Sequence, residues 1–270
     1  MQKFVVLHKA VGETPLEALE QWRREHPQYQ GVALSYAGRL DPMASGLLLV
    51  LIGEECKRQQ AYTKLDKEYE IEVLLGVGSD TGDVLGLVEL GEDVAPSREQ
   101  INAALADERG THSRPYPHFS SKTVAGKPLF LHALENNLEN ISIPEHTEHL
   151  YALTQLDSST ISQNHLADRI SKLLELVPHT LEPSKKLGED FRIGKVRAAW
   201  QEHFAQTIAR EYHVLKLRVV CASGAYMRAL AGRVGKSLGT RALALSITRT
   251  KIGTYLPLFH TGVWLRTFRP

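Results

Sequence analysis

The stretch KEYEIEVLLG, residues 67 to 76, limits the fold more than any other part of the chain. Tyr69, Ile71, Val73 and Leu75 fall on one side and Glu68, Glu70 and Glu72 on the other. That period of two belongs to a β-strand with one apolar face. Such a strand needs partners along both edges and a layer to cover its apolar side. The sequence offers both. KFVVLH (3–8), the unbroken apolar run GLLLVLI (46–52), residues 145–156 and YHVLKLRVVC (212–221) read as further strands. GVGSDTGDVLGLVEL reads as a glycine-rich turn into a strand, and ALSITRTKIGTYLP as a closing strand and turn.

Helices fall between these strands. In GETPLEALEQW, Thr14 can cap, Pro15 takes the first helical position and Glu17 completes a capping box, with Leu16, Leu19 and Trp22 as the apolar stripe. Ser97 and Gln100 cap a helix running to about Ala106. YMRALAGRVGKSLG is a helix ended by Gly239. Residues 111–130 are loop-like, broken by Pro115, Pro117, Gly126 and Pro128. Two helical spacings, Leu166, Ile170, Leu173, Leu174, Val177 and then Val196, Ala199, Trp200, Phe204, flank Pro183 and Gly188. They interrupt a strand-rich pattern and read as a helical insertion at about 158–208. Without a regular βαβ alternation, the expected fold is α+β: a mostly antiparallel mixed sheet flanked by helices, one domain over residues 1–270.

Charge is uneven along the chain. The net charge is only +1, yet no acid follows Glu211, and ten basic residues lie between Lys216 and Arg269. The remaining 22 basic residues face all 31 acids, so the front carries −9 against +10 in the tail. This suggests a polyanion partner, unless the tail packs against the acidic front and the fields cancel. Two cysteines, Cys56 and Cys221, make no disulfide framework and fit a reducing compartment. The start has no secretory pattern, and the run at 46–53 is too short to span a membrane, so a cytoplasmic location is expected.

Most familiar chemistries lack their signals. There is no HExxH, CxxC, Walker loop, GxGxxG or GxSxG, and GVGSDTG lacks the lysine of a phosphate loop. His146 and His149 read as surface histidines rather than a metal pair. The candidates that remain are Asp41, Tyr69, the Asp80/Asp83 pair and Arg228. Asp41 stands in SYAGRLDPMASG, where Pro42 restricts it to extended backbone and Gly38 and Gly46 permit tight geometry. It either closes a turn or is a carboxylate held at one angle. Tyr69 is a core tyrosine or a site residue. Arg228, in the first turn of a helix where the dipole disfavours it, is a surface arginine or has a specific partner. Asp41 with Asp80 or Asp83 as a glycosidase acid/base pair is countered by the basic tail and the lack of an aromatic sugar platform.

Four ordered blocks resemble the TruB family of RNA pseudouridine synthases. They are AGRLDPMASGLLLVLIGEECK, KEYEIEVLLGVGSDTGDVLG, RPYPHFSSKTVAGKPLF and VVCASGAYMRALAGRVGKSLGTRALALSITRTKIGTY, and LHKAVGETP is similar to the family's Lys-Pro-x-Gly start. The resemblance covers roughly residues 5 to 255, apart from the helical region at 158–208. It implies the pseudouridine synthase fold, with Asp41 as the catalytic carboxylate, Arg228 as its ion-pair partner and Tyr69 stacking on a flipped uracil. It implies that Lys122 and Lys127 grip phosphates and that Arg39, Tyr36, Asp80 and Tyr226 contact the substrate. It implies no cofactor, since the reaction is an isomerisation. Its usual substrate is the T-loop uridine of tRNA. The chain departs from the pattern at Arg39, where a small residue is usual, and at Tyr36, where a histidine is usual. The small C-terminal RNA-binding domain of many bacterial members is not expected here, and the helical insertion is expected to replace its grip or to bind a protein. A non-catalytic RNA-binding or chaperone protein on the same scaffold is the alternative.

Overall fold

The computed structural model describes residues 2–177, 192–206, 210–258 and 261–270. In chain order these form β1 (Phe4–Lys9), α1 (Pro15–Glu25), β2 (Leu34–Ala37), β3 (Ala44–Ile52), α2 (Gln59–Thr63), β4 (Asp66–Leu75), β5 (Val77–Ser79) and β6 (Val88–Leu90). Next come α3 (Arg98–Asp107), β7 (Gly110–Pro115), β8 (Thr123–Val124), β9 (Lys127–Pro128), α4 (Leu129–Leu134) and β10 (Glu145–Ser162). The last elements are α5 (Gln163–Glu175), α6 (Ile193–Gln206), β11 (Glu211–Cys221), α7 (Met227–Ser237), β12 (Ala242–Leu258) and β13 (Thr261–Thr267).

One sheet organises the molecule, in the order β1-β3-β12-β4-β11-β10-β7, with β2 added to β3 and β13 to β12. All its pairings are antiparallel except β3 with β12, which run parallel from Ala44↔Ile247 to Gly46↔Arg249. The fold is thus α+β on a mixed, mostly antiparallel sheet, as the patterning predicts.

Both faces of the sheet are covered. On the first, Tyr69, Ile71, Val73 and Leu75 of β4 and Leu215, Leu217, Val219 and Cys221 of β11 pack against α3 and α7. On the second, Leu74, Val214, Leu243 and Leu245 pack against α5 and α6 through Leu166, Ile170, Leu174, Val196 and Trp200. Double coverage explains why the β4 alternation ends in two consecutive apolar residues, Leu74 and Leu75. The glutamates of β4 are not simply solvated. Glu72 pairs with Arg169 of α5 and accepts from Ser246 at 2.5 Å, Glu70 pairs with Lys216 at 3.1 Å, and Glu68 pairs with Lys251 at 3.1 Å.

The structure departs from the sequence expectations at several places. Residues 110–115 form an edge strand, not a loop, pairing with β10 from Leu150↔Gly110 to Glu145↔Pro115. Its residues alternate only between half-buried and exposed, so no apolar pattern marks it. In α1 the capping box is present, but Leu16 is 48% exposed, while Ala18 and Leu19 are buried against Leu48 and Val50. The strand β10 continues through Ser162, so the helices begin at Gln163. Pro183 and Gly188 lie outside the described residues.

Candidate active site

Asp41 sits in the loop between β2 and β3, and that loop is fastened by its backbone. Gly12 N–H donates to the Pro42 carbonyl at 2.8 Å. Lys9 Nζ reaches the same carbonyl at 3.3 Å and those of Ala10 and Glu13 at 2.7 Å. Arg249 donates to the carbonyls of Gly38 at 3.2 Å, Arg39 at 3.4 Å and Leu47 at 2.7 Å. Gly46, with φ +104°, lets β3 and β12 meet closely, since a Cβ there would lie 2.2 Å from the Arg249 carbonyl oxygen.

Held in this way, the Asp41 carboxylate meets Arg228 of α7. Arg228 Nε donates to Asp41 Oδ2 at 2.7 Å, its Nη1 to the Thr81 carbonyl at 2.6 Å, and its Nη2 to the Phe119 carbonyl at 3.0 Å. The Arg228 side chain is 9% exposed and that of Asp41 45%, so the pair is fixed from beneath while the carboxylate stays reachable. Asp83 Oδ2 lies 3.7 Å from Arg228 Nε. Burial pushes the Asp83 carboxyl above its ordinary value, against the opposing pull of Arg228 and a hydrogen bond from Thr81. Position in the first helical turn, unfavourable for an arginine, is offset here because each guanidinium nitrogen donates to an oxygen. The α7 N-terminus is met by Glu148, whose Oε1 accepts from Tyr226 N–H at 3.2 Å.

Tyr69 is buried in the same cluster as Leu40 and Ala44, and its hydroxyl feels the charge of Arg249. Burial raises its hydroxyl above the ordinary tyrosine value. Tyr226 presents an edge to His146 at 5.4 Å and to Tyr116 at 6.2 Å, and Lys122 Nζ lies 5.1 Å over the Tyr116 ring. Asp41, Arg228, Tyr69, Tyr226 and Lys122 therefore belong to one connected region. Arg39 enters it through its carbonyl.

Three other candidates are engaged elsewhere. Tyr36 packs beside α1 in the cluster of Leu48 and Val50. Lys127 pairs with Glu135 at 2.6 Å. Asp80 takes a two-pronged ion pair from Arg192, at 2.8 and 3.1 Å, and accepts from Leu87 N–H at 2.8 Å. Of the Asp80/Asp83 pair, Asp83 is the one beside Arg228. The basic tail also looks different in three dimensions. Lys216, Arg218, Arg228, Arg233, Arg241 and Lys251 all pair with acids from the front part of the chain, so much of the asymmetry cancels internally. Among the described residues, no group of three or more His, Cys, Asp and Glu side chains could hold a metal, and no helix is long and apolar enough to cross a membrane.

Sequence reasoning missed the buried cations. Lys9, Lys67 and Arg249 are 0%, 4% and 1% exposed. Burial brings Lys9 and Lys67 down to about 8, and Arg249 adds to the effect on Lys67. The only advance signal is a charged residue inside a strand. Between pH 8 and the unfolded lysine value of about 10.4, the unfolded chain keeps a proton that folded Lys67 has shed. Stability from this group therefore rises with pH over that window, by up to about 1.4 kcal/mol per unit. Lys67→Met removes that slope. Denaturant unfolding from about pH 7 to about pH 10 should show the difference between the two proteins moving in favour of the wild type; a constant difference would contradict the burial argument.

The chain has clear relatives. The model of the TruB family pseudouridylate synthase, N-terminal domain, matches residues 29–169. The tRNA pseudouridine synthase B of Caldicellulosiruptor saccharolyticus is 25% identical over 255 residues, covering 94% of this chain and 69% of the relative. The protein of the same name from Azoarcus sp. (strain BH72) is 28% identical over 256 residues, covering 93% of this chain and 65% of the relative. The chain thus spans about two thirds of the length of these relatives. Among solved structures, a chain of a Cbf5-Nop10-Gar1 complex superposes with a TM-score of 0.53 at 16% identity, covering 93% of this chain and 49% of that one. At that identity the likeness concerns the fold.

Proposed function

The chain belongs to the TruB family of pseudouridylate synthases, and from that premise we propose that it isomerises a uridine of RNA to pseudouridine with Asp41 as the reacting carboxylate. The observation that carries this reading is the 2.7 Å contact between a buried Arg228 and a half-exposed Asp41 on a loop whose backbone is tied down.

The reaction breaks the bond between uracil N1 and ribose C1′, turns the base, and joins C5 to C1′. The proton lost from C5 is balanced by one gained at N1, so nothing is oxidised or reduced and no cofactor is called for. A carboxylate serves this sequence by attacking the sugar covalently or by removing a sugar proton, and either role needs one fixed approach angle. The carbonyl contacts of Lys9, Gly12 and Arg249 supply that rigidity. The base must leave its stack to reach Asp41. Tyr69, packed with Leu40 beside the Asp41 loop, and Tyr226, two residues before Arg228, are the aromatic rings assigned to the uracil, and Lys122, on the loop after β7, is assigned to a phosphate.

The names of the relatives favour tRNA as substrate, and the family resemblance makes the T-loop uridine the first choice. The test uses a tRNA transcript carrying tritium at uridine C5. One equivalent of tritium released per tRNA, with pseudouridine mapped to a single T-loop position, is the expected result. Tight RNA binding without release from this tRNA or from total cellular RNA would replace the enzyme by an RNA-binding protein on the same scaffold.

A further inference from the structure

We propose that the α5–α6 helical pair braces the reacting site and that Arg192 is the residue through which it positions Arg228. This rests on the reading of Asp41 and Arg228 as the reacting pair.

The helical pair packs against the segments that carry Asp41 and Asp83, the two carboxylates beside Arg228. Its core with the sheet takes in Met43, two residues after Asp41, together with Val84 and Leu85, which follow Asp83. Just past α5, the Leu176 carbonyl oxygen lies where a Cβ on Gly12 would come within 2.1 Å, and Gly12 is the residue whose N–H holds the Pro42 carbonyl. From α6, buried Trp200 Nε1 donates to the Val84 carbonyl at 3.0 Å.

Arg192 makes the decisive link. The two carbonyls that aim Arg228 belong to different irregular segments, Thr81 in the turn after β5 and Phe119 in the loop after β7. Arg192 engages both segments at once. Its guanidinium takes both oxygens of Asp80, the neighbour of Thr81, and lies 4.9 Å over the Phe119 ring. It therefore fixes the distance between the two acceptors of Arg228. A planar fork that chelates a carboxylate and stacks on a ring does this better than an ammonium can. Arg192 also holds a left-handed φ of +56°, which a non-glycine residue adopts only where its surroundings impose it.

Without this clamp the Thr81 and Phe119 carbonyls are free to part, and Arg228 loses the angle at which it presents to Asp41. A displacement on the order of 1 Å near reacting groups costs up to about 100-fold in rate. Arg192→Ala is therefore expected to lower the single-turnover rate of pseudouridine formation by about tenfold or more. The RNA dissociation constant should stay within about twofold, because the residue acts on Arg228 rather than on phosphate. Arg192→Lys should recover part of the rate. Asp80→Asn combined with Arg192→Ala should cost no more than Arg192→Ala alone. Amides of residues 79–87 should exchange faster in Arg192→Ala.

An unchanged rate overturns the proposal. So does a rate loss matched by a loss of salt-dependent RNA affinity, which would make Arg192 an RNA contact. Should Arg192→Ala fail to fold, Trp200→Phe removes the Val84 bond while keeping most of the ring packing, and the same split between rate and affinity is expected. If the wild type converts no uridine in any RNA, the proposed function falls by itself, and the exchange at residues 79–87 still decides whether Arg192 is a clamp.

Discussion

Asp41→Asn is expected to stop pseudouridine formation while leaving RNA binding and folding nearly unchanged. The loop stays in place because its fastenings are backbone carbonyls, at Gly38, Arg39 and Pro42, and none of them involves the Asp41 side chain. The amide oxygen of asparagine can still accept from Arg228 Nε, so the arginine keeps its three directions. What disappears is the negative charge and with it the capacity to attack a sugar carbon or take a proton. Removal of a reacting side chain from a site that keeps its shape costs about 10⁴-fold or more. The stability change should be modest, since the Asp41 side chain is 45% exposed and a half-solvated ion pair contributes little. Single-turnover tritium release, read beside filter binding of the same RNA, measures both quantities. Turnover within about tenfold of the wild type would remove Asp41 from the chemistry.

Why Asp41 stood out in the sequence while Arg249 did not is a matter of range. The Asp41 loop announces itself locally, because Gly38, Pro42 and Gly46 restrict or release their own backbones. The capping boxes at Thr14 and Ser97 were readable for the same reason, and both are present. The alternation of β4 marked one face of the sheet. Arg249 sits in the run SITRTKI, where the sequence counts it only as one of the ten basic residues of the tail. It is buried because β12 runs parallel to β3 over three residue pairs, and this brings carbonyls of the Asp41 loop within reach of its guanidinium. Nothing within a few residues of Arg249 encodes that crossing. The edge strand β7 failed for the opposite reason. Its pairing with β10 is made by backbone groups that every residue carries, and its side chains bury no continuous face to betray it. The charge asymmetry of the tail was real in the sequence but mostly consumed within the fold, in pairs such as Arg233 with Glu108 and Glu148. A linear count of charge does not say which charges face each other.

Arg228→Met is expected to be the most damaging substitution for stability as well as for activity. Methionine fills much of the space but donates nothing. The carbonyls of Thr81 and Phe119 lose their partner, and Asp83, 5% exposed, is left in the interior without a cation. Breaking a buried ion pair from one side costs about 3–5 kcal/mol, because the remaining charge keeps its desolvation penalty. The pH dependence separates this cause from simple loss of packing. Burial already raises the Asp83 carboxyl above its ordinary value, and removing Arg228 takes away the chief opposing influence. A carboxyl raised in the folded state contributes fully below the unfolded value of about 3.9 and loses that contribution as pH climbs through the folded value. The deficit of Arg228→Met relative to the wild type should therefore be smallest in acid and widen towards neutrality. Adding Asp83→Asn should restore part of the stability at neutral pH, since the amide needs no counter-charge, and should flatten the widening. It should not restore turnover, because nothing then directs Asp41. A deficit that is flat across pH and indifferent to Asp83→Asn would mean that Arg228 acts on the fold as volume alone, and the electrostatic account of the site would fail with it.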